Sequence, residues 1–278
     1  MLRLLNIELF KLKHSRAVKV ISVIYFLLIL SISLIASIEI PFGQANFKFA
    51  DLGIFNFPFI WHFNTYVAAT LKILLAIVIV SLVSNEYSYR TLKQNLIDGL
   101  SKKEFIASKF MTILMFSIIS TILVFIVTLV LGRIFSDYTE PSIIFSDLEY
   151  LLAYFVKLVA FFSFCLFLSV WVKRSAFALG FLFIWYLFEG FLFLILKFIF
   201  FRGTEIAEKV DDFFPLEAMA NLIKEPGSRL GLIRSMANQL GENYTKDYDV
   251  TIVNIIIVLV WTALFVYWSY AILKKRDL

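Results

Sequence analysis

NEYSYRTLKQNLIDGLSKKEFIASK, residues 85–109, is a polar stretch rich in Lys and Arg, set between two long apolar segments. It reads as a helix, a turn and a second helix that runs on into the next apolar segment. Over residues 86–96, Tyr89, Leu92 and Leu96 fall near one helical face, with Arg90, Lys93 and Gln94 elsewhere on the turn. Asp98-Gly99 is a helix stop, the glycine supplying the left-handed residue that ends a helix. Ser101-Lys102-Lys103-Glu104 then fits a capping box, in which the Ser101 hydroxyl accepts from the Glu104 amide and the Glu104 carboxylate accepts from the Ser101 amide. The next helix is expected to begin at Lys102 and to carry Phe105, Ile106 and Phe110 into the following apolar segment. The stretch is too short for a domain and too ordered for a slack loop. It is expected to be a rigid handle through which a soluble partner pushes on a membrane protein. An ordinary surface turn with flanking lysines has the same local pattern.

The chain around this handle is 61% hydrophobic over 278 residues, with a mean hydropathy of +0.87. Soluble domains are about 45–50% apolar, so the excess is expected to face lipid. The net charge of +5 is no nucleic-acid footprint, because the basic residues sit beside apolar runs rather than on one soluble face. A single cysteine, Cys165, excludes an intrachain disulfide.

A span needs about 20 apolar residues, and the segments 17–38, 60–83, 110–131, 150–172, 176–200 and 251–273 qualify. Lipid leaves no partner for unpaired backbone, so helices are the reading. The fold class is therefore an all-α membrane protein with six transmembrane helices, residues 1–278 forming one domain. The first apolar run is long enough to be a retained span rather than a cleaved signal. Lys and Arg cluster in the leader, in 84–109, at Lys173 and Arg174, and in the tail at Lys274, Lys275 and Arg276. The first connection offers only Lys48 and the third only Arg133, while the long fifth has several bases but more acids and weighs little because of its length; both termini are therefore expected to be cytoplasmic by the positive-inside rule.

The leader, 1–16, places Leu2, Leu5, Leu9 and Leu12 at helical spacing and is expected to be an amphipathic helix in the cytoplasmic interface. The last connection, 201–250, holds two short helical patterns. Pro215 suits the first turn of one, which Glu225-Pro226-Gly227 stops. Ser228 can cap the other, with Leu230, Ile233, Ala237 and Leu240 on one face and Gly241 at its end. The pair either re-enters the outer leaflet or caps the bundle from outside.

Lys72, Lys157, Glu189 and Lys197 lie inside apolar segments, where ionisable groups are costly and usually functional or paired. Lys197 is near an end and snorkels. Glu189 is expected to face the interior and to pair with Lys72 or Lys157; the competing reading is that one of these charges lines a substrate path. His62, in the aromatic patch 55–63, fits an interfacial aromatic belt better than a ligand role.

Residues 85–109 resemble the connection between the second and third spans of type-2 ABC transporter permeases. Glu86, Thr91-Leu92, Ser101-Lys102 and Lys109 match the positions those proteins show, with two departures. Arg90 stands where many members have Gly, and Lys102 replaces the commoner Arg. The resemblance extends to the layout of leader, six spans and paired short helices before the last span. It implies that 84–109 contains a coupling helix docked in a groove of a cytoplasmic ABC ATPase subunit. The implied contacts are Glu86, Tyr89, Arg90, Thr91, Leu92, Lys93, Asn95, Ser101, Lys102 and Lys103, with Lys173 and Arg174 as a smaller second contact. It further implies a second permease copy or paralogue, a bacterial cytoplasmic (inner) membrane, and export by alternating access.

The chain has no G-x-x-x-x-G-K-[ST] phosphate loop. ATP and Mg are accordingly expected on the partner ATPase, with no cofactor in this chain. Two histidines on opposite sides of the membrane, His14 and His62, exclude a multi-histidine metal enzyme. A channel or secondary transporter fits the intramembrane charges, but no pair of Gly- or Pro-broken spans is visible. A subunit doing mechanical or assembly work would share the same handle.

Overall fold

The computed structural model describes residues 2–36, 39–42, 45–48, 53–202, 204, 206–229 and 248–276. Twelve helices lie among them, joined by one short hairpin. Helix α1 is Leu2–His14, α2 Arg16–Ala36, α3 Phe59–Thr70, α4 Lys72–Ser88, α5 Thr91–Ile97 and α6 Lys102–Phe135. They are followed by α7 Pro141–Ile144, α8 Glu149–Val172, α9 Ser175–Ile195, α10 Ile206–Asp211, α11 Pro215–Asn221 and α12 Ile252–Lys275. A π-helical turn, Leu196–Phe200, continues α9. Strands β1 Glu39–Phe42 and β2 Ala45–Lys48 pair antiparallel, with Glu39 opposite Lys48, so the first connection departs from an all-helical fold.

Four helices, α6, α8, α9 with its π turn, and α12, are each long and apolar enough to cross a membrane. Two bent pairs bring the number of candidates to as many as six. α1 meets α2 at 91°, and α3 meets α4 at 42°. The bend at Ser15 turns α1 nearly perpendicular to the axis of α2. The bend at Leu71 interrupts the apolar run 60–83 without Gly or Pro.

Helix α8 is the centre of the bundle and packs on α3, α4, α6, α9, α11 and α12. Within its apolar window 83% of the residues are buried, against 6% for α9. Phe57 lies so close to Gly132 that a Cβ there would run into its ring, so that approach requires glycine. In the last connection α11 forms as the pattern predicts, with Pro215 in its first turn, and α10 precedes it. The second helix expected after Ser228 falls mostly outside the described residues, which show only a 3-10 turn, Gly227–Arg229.

The leader turns a different face to the protein than its leucine spacing predicts. Glu8 and Leu12 are buried, while Ile7, Leu9 and Phe10 are exposed. The reason is ionic and becomes visible at the end of the bundle that carries α5.

Candidate functional site

The polar stretch 85–109 folds in three steps. Helix α4 runs to Ser88, two residues further than the expected helix start at 86. The chain then breaks at Arg90, whose φ of +57° is left-handed, and α5 begins at Thr91. The predicted single helix over 86–96 is thus split, and Glu86 belongs to the last turn of α4. Gly99 ends the segment with φ +96°, as the Asp98-Gly99 signal requires. The capping box at α6 is present in both directions: the Glu104 amide donates to Ser101 Oγ at 3.1 Å, and the Ser101 amide to Glu104 Oε2 at 2.9 Å.

Leu92 is 1% exposed and anchors α5 to the bundle. Around it Tyr89, Arg90, Thr91, Lys93 and Gln94 are exposed. Tyr89 at 75% and Ile97 at 70% are large apolar groups left bare beside bases. A small pocket between α4 and α5 is lined by Glu86, Tyr87, Arg90, Leu92 and Lys93. Aromatic and arginine side chains around a recess are the chemistry of a protein-binding surface.

Beneath this surface four ionised side chains close a ring. Lys11 Nζ donates to Glu8 Oε1 at 3.1 Å and to Glu86 Oε1 at 2.8 Å; Lys109 Nζ donates to Glu8 Oε2 at 2.7 Å and also to Glu86 Oε1. Charges alternate around the ring, and each member meets two of opposite sign. Glu8, Glu86 and Lys109 are buried, whereas the Lys11 side chain keeps 29% exposure. Asn95 Nδ2 donates to the second Glu86 oxygen at 3.3 Å, which brings α5 into the same network. The ring therefore joins α1, the end of α4, α5 and the start of α6. Burial alone would raise the Glu8 carboxyl, but Lys109 and Lys11 outweigh it and hold it below the ordinary value. Burial would likewise lower Lys11, and Glu86 with Glu8 holds it above.

The expected docking residues therefore divide. Tyr89, Arg90, Thr91, Lys93, Ser101, Lys103, Lys173 and Arg174 are exposed. Glu86 and Leu92 are interior, the first because its charge is consumed by two lysines and the second because it is packed. Asn95 is half-buried against Glu86. Lys102 is also engaged, donating to the carbonyls of Lys274 at 3.3 Å and Arg276 at 2.8 Å. Arg276 in turn donates to the carbonyls of Val170 and Trp171, so the chain's last described turn is fastened to α6 and α8. Lys173, like Arg90, is left-handed, with φ +64° between α8 and α9. The ring partners Glu8 and Lys11 were readable only as an i, i+3 pair in the leader.

Among the charges inside the apolar segments, the expected pairing of Glu189 with a lysine is not found. Its carboxylate accepts from Trp185 Nε1 and from the backbone amides of Leu216, at 3.0 Å, and Glu217, at 3.3 Å. These amides belong to the first turn of α11, which has no cap from its own chain neighbours. Lys157 Nζ donates to the carbonyls of Ala220, at 3.3 Å, and Ile223, at 3.4 Å, at the other end of α11. An acid thus sits on the positive end of a short helix and a base on its negative end. Lys197 pairs with Glu208 at the exposed surface. Lys72 meets neither acid and lies over the Phe161 ring at 4.6 Å.

His62 is not in a peripheral aromatic belt, since it is fully buried. Its Nε2 lies 2.7 Å from the Lys224 carbonyl, where it donates, which leaves Nδ1 to accept from Arg229 at 3.2 Å. The imidazole stacks on Tyr150 at 4.4 Å, and Arg229 lies over Phe59 and Tyr248. These contacts fasten the last connection to α3 and α8.

The class these features define is a multi-pass helical membrane protein with a basic, tightly seated connection exposed at one end. The chain belongs to the ABC-2 transporter family: the family model described as ABC-2 family transporter protein matches residues 4–190, more than half its length. It is accordingly a membrane subunit of an ABC transporter, a family that works with ABC ATPase subunits. No curated protein matches the chain. The match ends one residue after Glu189, so α10, α11 and α12 lie beyond it.

Proposed function

We propose that the chain is the permease subunit of an ATP-driven exporter in a bacterial cytoplasmic membrane, with six spans and both termini in the cytoplasm. The observation that carries this reading is α5, a short helix anchored by Leu92 and braced by a buried ionic ring, with a bare basic and aromatic surface above it. In this reading the surface fits a groove of a separate ATPase subunit through Tyr89, Arg90, Thr91, Lys93 and Lys103, with Lys173 and Arg174 as the second contact. ATP and Mg belong to that partner, and this chain is not itself the ATPase. When two ATPase subunits close on ATP they displace α5. The ring passes the displacement to α1, α4 and α6 together, because moving one member alone would strand a buried charge. The spans then re-pack to move the pathway outward.

A second permease, identical or a paralogue, completes the pathway. The support is the aromatic-rich surface of α9, almost wholly exposed in one copy, with Phe177, Phe183, Tyr186 and Phe191 all outward.

The test is co-expression with an ABC ATPase and purification in detergent. Wild type is expected to retain the ATPase, and a Thr91→Asp/Lys93→Glu variant to lose it while staying folded, since both positions are exposed. An ATPase held equally by both would remove α5 as the docking surface. Purification without any ATPase would turn the reading towards a channel or secondary transporter built on the intramembrane charges.

A further inference from the structure

We propose that the end of α12, Lys274 to Arg276, is a third part of the surface that meets the ATPase, that it fits an acidic patch of that partner, and that Arg276 is the residue positioning it. The inference deepens the docking reading and rests on it.

Two cations fix where this tail lies. Lys102, in the first turn of α6, donates to the carbonyls of Lys274 at 3.3 Å and Arg276 at 2.8 Å. The Arg276 guanidinium donates in turn to the carbonyls of Val170 and of Trp171, the latter at 2.8 Å. Both cations thus sit on the last turns of helices, where carbonyls lack a partner within their own helix and the helix end is partly negative. The tail is thereby held between Lys103, next to Lys102, and Lys173 with Arg174, which follow α8 directly. The Arg276 guanidinium also lies within reach of the Tyr87 hydroxyl, in the wall of the pocket between α4 and α5.

Lys274 and Lys275 are exposed, as are Lys103, Lys173 and Arg174. The tail therefore joins the two expected contacts into one basic surface. The acids of 85–109 do not neutralise it: Glu86 lies in the ring, Asp98 accepts from Gln94 at 3.0 Å, and Glu104 closes the capping box. The surface that fits it is acidic.

Anionic lipid headgroups are the other acidic surface a basic helix end can meet. The level of the tail favours a protein. Lys109, which binds the leader through Glu8, lies about two turns along α6 from Lys102, or about 10 Å. The tail is therefore about 10 Å beyond the level of α1, the helix expected in the interface, on the side away from the spans.

The test measures binding of a co-expressed ABC ATPase to the full chain in phosphatidylcholine nanodiscs. Lys274→Glu/Lys275→Glu is expected to bind about tenfold more weakly than wild type at low salt, with the difference shrinking as salt is raised. Arg276→Gln, with both lysines intact, is expected to weaken binding about threefold, and Arg276→Lys to restore it by reaching one of the two carbonyls. Equal affinity of wild type and the charge-reversed variant overturns the inference. A second measurement needs neither variant nor ATPase: hydrogen exchange in residues 270–276 of the wild-type chain is expected to be the same in phosphatidylcholine and phosphatidylglycerol nanodiscs. Protection by phosphatidylglycerol would give the tail to headgroups and overturn the assignment. A wild type that binds no ATPase would sink the docking reading itself, whereas an ATPase held equally by wild type and the charge-reversed variant would sink this inference alone.

Discussion

The two ends of the bundle handle buried charge in different ways. Beneath α5, four full charges neutralise one another in a ring of side chains from three helices. Around α11, two full charges meet the partial charges of one short helix, the Glu189 carboxylate on its first amides and Lys157 on its last carbonyls. A ring of ions holds only while every member is present, because each ion costs several kcal/mol to bury and is repaid by its neighbours. Helix ends carry about half a charge each, so the second arrangement binds less tightly and can release one end at a time. The first suits a part that must move as a unit, the second a cap that opens.

The comparison is most exposed to failure at Lys109. Lys109→Met leaves two buried carboxylates with only Lys11 between them and is expected to destabilise the protein by about 3–5 kcal/mol. The double variant Glu86→Gln/Lys109→Met removes one charge of each sign and leaves Glu8 with Lys11, so most of that loss should be recovered in a detergent thermal melt. Simple additivity of the two single changes would refute the ring.

At the other end Glu189→Ala takes the cap from α11 and is expected to cost about 1–2 kcal/mol. The loss should be local, read as faster proteolysis in residues 206–223 with little change at α5. A global collapse would show that α11 is as integral as the ring.

Arg90→Gly bears on the seating of α5. A left-handed arginine costs about 1–2 kcal/mol that glycine does not, so the variant is expected to gain about 1 kcal/mol in the melt. A loss would mean that the Arg90 side chain makes up the difference through the pocket it lines.

The smallest effect is in pH. Glu8 is held below its usual 4.5, so its contribution is present above 4.5 and is lost as pH falls through the lower folded value. Lys11 is held above 10.5, so its contribution is present below 10.5 and is lost as pH rises through the higher folded value. The contributions of Glu8 and Lys11 are therefore level across neutral pH. Asp211 runs the other way: burial, then Glu217 and Asp212, push it up to about 6 from 3.8. Its contribution is full below 3.8 and gone above about 6. Between those values the α10–α11 end is expected to loosen with rising pH while α5 does not change, a difference that site-resolved hydrogen exchange would record.

Local signals were legible in the sequence where a residue acts on its own neighbourhood. The Ser101–Glu104 capping box, the Gly99 stop and Pro215 in the first turn of α11 all formed as their spacing requires. The break at Arg90 was not legible, because Tyr89, Leu92 and Leu96 also suit an unbroken helix and a left-handed arginine has no sequence signature. Burial of Glu86 was hidden for another reason: its partners are 75 and 23 residues away. Glu189 misled because counting charges searches for opposite charges, whereas its partners are an indole N–H and two backbone amides. Hydropathy was equally blind to α8 and α9, both apolar enough to span, since it does not separate surface that faces protein from surface that faces lipid.

The central claim is that the ring carries the motion of α5 into α1 and α6. Hydrogen exchange on the complex with its ATPase, with ATP or ADP bound, tests this directly in wild type and Glu86→Gln/Lys109→Met. The wild type is expected to change exchange in residues 6–14 and 102–112 with the nucleotide. The double variant is expected to keep the ATPase bound, since the α5 surface is unaltered, and to lose the nucleotide response in residues 6–14. If α1 followed the nucleotide equally in both proteins, the ring would be a fastening only and the account of transmission would be wrong.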